Sequence, residues 1–186
     1  MTAPTTPTDE ELVRRISAGE EEAFVVLYRR RQGALYRFAW QMSGSAAIAE
    51  EVTQEVFLAL MREARRYDPR RGTVAAYLYG VARNHVLRRL DREAVFVPLA
   101  EESVEAPDDP HRDAGRQETV EAVRRAVLSL PAGYREAVVL CDLHEMSYEE
   151  AAAALGCAVG TVRSRLHRGR ALLGAKLRPV AAGSLV

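Results

Sequence analysis

At 186 residues the chain has room for one or two domains, and 48% hydrophobic with 28% charged residues describes folded, water-compatible material rather than disorder throughout. No stretch approaches the roughly 18 uninterrupted apolar residues of a membrane span, and Met1 to Thr8 is polar and Pro-rich rather than basic and then apolar. No membrane insertion and a cytoplasmic location are therefore expected, and two cysteines, Cys141 and Cys157, do not make a disulfide framework.

The 26 basic and 26 acidic side chains cancel, but they are segregated along the chain. Arg62 to Glu93 holds nine arginines against four acids, and Ser147 to Arg178 holds five arginines and one lysine against two acids. Between these blocks, Glu101 to Glu121 holds eight acids against Arg112 and Arg116. Two basic blocks around an acidic connector read as two phosphate-facing surfaces and a strand kept off nucleic acid.

Ala, Leu, Glu and Arg dominate, and Gly or Pro falls between the periodic runs, so the expected fold is all-α. Asp9 is the expected cap of a helix to about Ala18, Gly19 marks a stop, and a second helix runs from the acidic start Glu20 to Glu22 to about Met42. Ser43-Gly44-Ser45 breaks the chain. A third helix covers Ala46 to Arg66, and a fourth, after Asp68-Pro69 and the turn Arg70-Arg71-Gly72, covers Thr73 to Arg92.

These elements make a first helical domain over 9–94. Residues 95–116, rich in acids and proline, read as a flexible acidic linker. A second small helical domain over 117–178 follows, with helices to Leu128, from Pro131 to Leu143, over Ser147 to Leu155 and over Val159 to Leu177. Residues 179–186 form a tail.

The last two helices carry the first functional signal. Ser147 with Glu150 forms a capping box, Gly156 can close the helix in a left-handed conformation, and Gly156-Cys157-Ala158 is a three-residue turn into the next helix. Small Ala151 and Ala152 allow that helix to cross closely, which is the layout of a helix-turn-helix. On the second helix Val162, Leu166 and Leu173 face inward. Thr161, Ser164, Arg165 and Arg168 make a donor-rich outer face suited to a major groove, flanked by Arg163, His167 and Arg170, which suit phosphates.

In the third helix Ala49, Val52, Val56, Leu60 and Ala64 form the inward face. Glu51, Gln54, Glu55 and Leu58 form the opposite one, a mixture of acids with exposed leucine that fits either a partner or a solvated surface. In the fourth helix Tyr77, Asn84 and Arg88 share a face, with Arg83, Arg89 and Arg92 beside them. Aromatic, amide and basic groups together offer a platform for an unstacked base of single-stranded DNA. Tyr77 and Tyr79 can instead be core residues, Tyr79 above all, and Trp40 reads as core.

Ala49-Glu-Glu-Val-Thr-Gln-Glu-Val-Phe-Leu58, Tyr67-Asp-Pro-Arg-Arg-Gly72 and Ala82-Arg-Asn84 resemble region 2 of the extracytoplasmic-function (ECF) sigma factors. Leu130-Pro-Ala-Gly-Tyr-Arg-Glu136 and Ser147 to Arg170 resemble region 4 of the same family. The resemblance implies a transcription initiation factor that binds bacterial core RNA polymerase. Glu51, Gln54, Glu55 and Leu58 would lie against the clamp helices of its largest subunit, and region 4 against the flap. It further implies that the helix carrying Tyr77, Arg83, Asn84, Arg88, Arg89 and Arg92 recognises and melts the −10 element of promoter DNA. Thr161, Arg163, Ser164, Arg165, His167, Arg168 and Arg170 would read the −35 element, and an anti-sigma factor would control the protein. Tyr77 and Met61 stand where the family commonly has tryptophan; stacking on tyrosine remains available.

A conventional helix-turn-helix regulator would need a dimer interface or ligand domain to place two half-sites, and neither is legible. Cys141-x-x-His144 with Cys157 and His167 could in principle supply zinc ligands. His167 falls on the DNA-facing stripe, however, and Cys141 and His144 fit a helix end. No nucleophile, base and orienting group can be read together. No enzyme activity, metal or cofactor is expected.

Overall fold

The computed structural model describes residues 6–96 and 114–183, and these residues contain helices and turns without a strand. Helix α1 (Asp9–Ser17) is capped not by Asp9 but by Thr8, whose hydroxyl accepts from the Glu11 amide at 3.2 Å. Asp9 instead pairs with Arg30 at 2.5 Å and with Arg31, pinning α1 to the next helix. That helix, α2 (Glu21–Ser43), closes on Gly44 at φ +78°, a left-handed conformation that favours glycine.

Ser45 caps α3 (Ala46–Glu63), which tightens into a 3₁₀ turn over Ala64–Arg66. A second such turn, Pro69–Arg71, leads to Thr73, whose hydroxyl accepts from the Ala76 amide and opens α4 (Val74–Phe96). The inward face read for α3 is buried throughout, with Val56 and Leu60 at 0% exposure. It packs on Leu27, Phe38 and Met42 of α2 and on Leu78, Ala82 and Val86 of α4.

The second half contains α5 (Ala114–Leu128), α6 (Ala132–Val138), α7 (Tyr148–Leu155) and α8 (Val159–Gly183). The single helix expected from Pro131 to Leu143 divides, because α6 widens into a π-helical turn over Val139–Leu143. This turn aims His144 back at the first half. Helix α8 continues through Gly183, beyond the expected end near Leu177. The linker falls largely outside the described residues, at 97–113.

The two halves touch. Helix α4 lies so close to α7 that a Cβ at Gly80 would sit 3.1 Å from the Ala154 carbonyl oxygen. Arg135 of α6 donates to the Met42 carbonyl at 2.6 Å and to those of Leu128 and Leu130, satisfying helix-end acceptors from both halves. Trp40 packs against the core without being fully enclosed. It is half-buried at this seam, where the Arg124 guanidinium stands 4.2 Å from its ring centroid.

Candidate nucleic-acid interface

Helices α7 and α8 form the helix-turn-helix from local chemistry. Ser147 and Glu150 complete a reciprocal capping box, and Gly156 takes φ +63° at the turn. Val162 and Leu166 point inward at 0% and 2% exposure. Gly169 lets α8 cross α6, since a Cβ there would lie 2.7 Å from a Val138 methyl.

This packing presents Arg163, Ser164, His167, Arg168 and Arg170 to solvent, with Thr161 and Arg165 half-buried. Three of the seven are committed within the protein, Ser164 by donating its hydroxyl to the Thr161 carbonyl at 3.0 Å. Arg170 forks onto Asp142 at 2.5 and 3.1 Å, which raises its pKa, and Arg165 approaches Glu136 at 3.8 Å. Arg163 stands over the Tyr148 ring at 5.6 Å.

On α4 the six residues read from the sequence divide. Tyr77, Arg83 and Asn84 line a cavity of about 820 Å³ whose opposite wall is α7 and the Gly156-Cys157-Ala158 turn. Tyr77 packs edge-on to Tyr67 at 5.8 Å between centroids, and burial pushes its hydroxyl pKa up. Arg83 is bound to Glu136 and Arg89 to Glu51, while Arg88 and Arg92 are exposed farther along.

On α3, Gln54 and Leu58 are exposed, and Glu51 and Glu55 are half-buried. Gln54 borders a groove with Tyr28, Gln32 and Tyr36 of α2. Beside it lies a surface that sequence reasoning missed. Val25, Val26 and Met61 are 42%, 41% and 58% exposed, and with Phe24 they line a second groove rimmed by Glu20, Glu21 and Glu22. The signal was present in Phe24-Val25-Val26-Leu27, four consecutive apolar residues that one inward helix face cannot hold.

Glu136 was also missed, although an acid beside the apolar run Ala137 to Leu140 points to a buried, paired carboxylate. The zinc reading finds no geometry, since both His144 nitrogens are taken, by Tyr79 Oη and Gln41 Oε1 at 2.8 Å each. Among the described residues no three metal-ligating side chains cluster.

Two helical modules, one ending in a helix-turn-helix and the other carrying an aromatic and basic helix, define a DNA-binding protein of the transcription apparatus. The family model for sigma-70 region 2 matches residues 27–95, and that for sigma-70 region 4 matches residues 120–173. The ECF RNA polymerase sigma-E factor of Escherichia coli K12 is 32% identical over 187 aligned positions, covering 93% of this chain and 96% of that one. CnrH, solved in complex with the cytosolic domain of CnrY, aligns at a TM-score of 0.71 and 30% identity, covering 91% of this chain and 96% of its own. The sigma factor RpoE of Bartonella quintana, solved with the anti-sigma factor NepR, aligns at 0.67 and 26% identity over 79% of this chain and 91% of its own. The chain belongs to the ECF sigma factors of the sigma-70 family. These are transcription initiation factors whose partners are core RNA polymerase and promoter DNA.

Proposed function

We propose that the first module, 9–94, docks on core RNA polymerase through Glu51, Gln54, Glu55 and Leu58 and engages the −10 element through Tyr77, Arg83, Asn84, Arg88, Arg89 and Arg92. The second module, 117–178, reads the −35 element through Thr161, Arg163, Ser164, Arg165, His167, Arg168 and Arg170. The connector read from the sequence as 95–116, whose ends belong to α4 and α5, lets the two reach separate DNA sites. The observation that carries this reading is the exposed α3 face, where Leu58 is open to solvent and Gln54 borders a groove, on the module that holds the Tyr77 platform. Val25, Val26 and Met61 extend the docking face with apolar area and an acidic rim, which suits a helix with basic and apolar residues.

Capture of a melted base follows from stacking on Tyr77, hydrogen bonding by Asn84 and phosphate contacts from the arginines. Control by an anti-sigma factor is supported by the likeness to RpoE, which was solved with one. The test is binding to bacterial core polymerase by wild type and by Glu51→Arg/Gln54→Ala. Wild type is expected to bind, and the double variant to lose affinity by roughly tenfold or more, as expected for a charge reversed within an interface. A chain that ignores core polymerase yet binds duplex DNA alone would be a conventional regulator instead.

A further inference from the structure

Helix α8 crosses α6 at one close point. A Cβ at Gly169 would stand 2.7 Å from a Val138 methyl and 3.3 Å from the Tyr134 carbonyl oxygen, so the approach relies on glycine. On either side of this point an acid of the α6 segment holds an arginine of α8. Toward the start of α8, Arg165 stands 3.8 Å from Glu136 Oε2, and its guanidinium lies over bare Gly133, where a Cβ would be 3.6 Å away. Farther along, Arg170 donates from Nη2 and Nε to the two oxygens of Asp142, at 2.5 and 3.1 Å. A single close contact leaves a helix free to pivot. An ion pair on each side, one of them forked, fixes the angle.

Arg165 and Arg170 therefore differ from the side chains beside them. Glu136 is 2% exposed, and drawing Arg165 away to a base would take a cation from a buried carboxylate, a costly separation. The pair of Arg170 with Asp142 is exposed and adds little stability by itself, so what its fork supplies is orientation. Arg163, Ser164, His167 and Arg168 face solvent, and none of them takes part in either pair. Ser164 donates its one proton to the Thr161 carbonyl, which leaves its oxygen as an acceptor.

We propose that Arg165 and Arg170 are positioning residues for −35 recognition. Glu136 and Asp142 hold them so that α8 enters the groove at a fixed angle, and the base-selecting contacts fall to Arg163, Ser164, His167 and Arg168. The inference rests on the −35 reading above and divides its residues by role.

In the test, core RNA polymerase carrying the full-length chain is presented with a pool of random-sequence duplexes, and the bound DNA is sequenced. The readout is the enrichment of the selected upstream motif over unrelated sequence, a ratio in which any general change in attraction for DNA cancels. Asp142→Asn and Glu136→Gln keep the side-chain shape and release one arginine each. A released arginine that itself reads DNA is freer to do so, and enrichment would hold or rise. A released strut lets α8 swing, and enrichment falls.

The expected fall is about fivefold to tenfold in each variant, the worth of one weakened base contact, with the preferred bases unchanged. Asp142→Arg combined with Arg170→Asp rebuilds the pair in reverse and is expected to return enrichment to within about twofold of wild type. Arg168→Ala, by contrast, is expected to change the preferred base at its own position. Enrichment unchanged or raised in either isosteric variant would overturn the proposal. So would a reversed pair that melts as wild type does by circular dichroism yet leaves enrichment low. Should another variant melt below the assay temperature, the exposed isosteric change Asp142→Asn decides. A wild type that enriches no upstream motif would take down the −35 reading itself, which is distinct from a failure confined to the variants.

Discussion

His144 lies against Phe38 with both ring nitrogens engaged. Its Nε2–H donates to Gln41, which leaves Nδ1 to accept from the Tyr79 hydroxyl and favours the neutral ring. Burial, with Arg37 nearby, lowers its pKa to about 4 from an ordinary 6.5. The depressed value means the unfolded chain binds the proton more tightly. Stability from this residue is complete above pH 6.5 and is lost as pH falls toward 4. By pH 5 the loss is about 2 kcal/mol, from about 1.4 kcal/mol per pKa unit. Unfolding free energies from urea titrations at pH 7 and pH 5 are expected to differ by that much more in wild type than in His144→Gln.

The same residue marks a limit of sequence reading. Cys141-x-x-His144 offers metal-ligand spacing, and only the partners across the seam show that both nitrogens are spent on hydrogen bonds. Tyr79 was read correctly as interior, at 7% exposure, because its apolar neighbours follow helical spacing. Trp40 packs against the core as read, but its contact with Arg124 of a distant helix has no local pattern.

At the level of helices, caps and stops were largely legible because their chemistry is local. The Ser147 and Glu150 box, the left-handed Gly156 and the chain break at Gly44 stand where the sequence places them. Thr8 displaced Asp9 as a cap because Asp9 gains two arginine partners on α2, a contact that no local pattern encodes. The π-helical turn after α6 was likewise invisible, since Val139 to Leu143 is as compatible with regular helix.

Gly169 belongs to this scale too, because it sets the α6 to α8 crossing that aims the recognition helix. Gly169→Ala improves helix propensity but overpacks Val138, and a net loss of roughly 1–3 kcal/mol is expected by chemical denaturation. A variant at least as stable as wild type would show that α6 yields freely.

Across the whole molecule the seam makes the two modules cooperative. Arg135, His144 and the Glu136 to Arg83 pair connect elements that would otherwise unfold separately. Calorimetry of wild type is expected to give one transition whose calorimetric and van't Hoff enthalpies agree. Gly80→Leu, whose side chain would meet the Ala154 backbone across the seam, is expected to give two. Two transitions in wild type would mean that the seam contributes little.

The sequence by itself determined the all-α class, the helix-turn-helix, the inward faces and the family, because helical periodicity, capping and ordered motifs are properties of neighbouring residues. Only the tertiary structure decided that Arg83 and Arg165 share Glu136, that Tyr77 and Asn84 line a cavity opposite α7, and that Val25, Val26 and Met61 remain exposed. Each depends on which helices meet across long stretches of chain. An arginine has the same sequence signature whether its partner is a phosphate, water or a carboxylate more than fifty residues away.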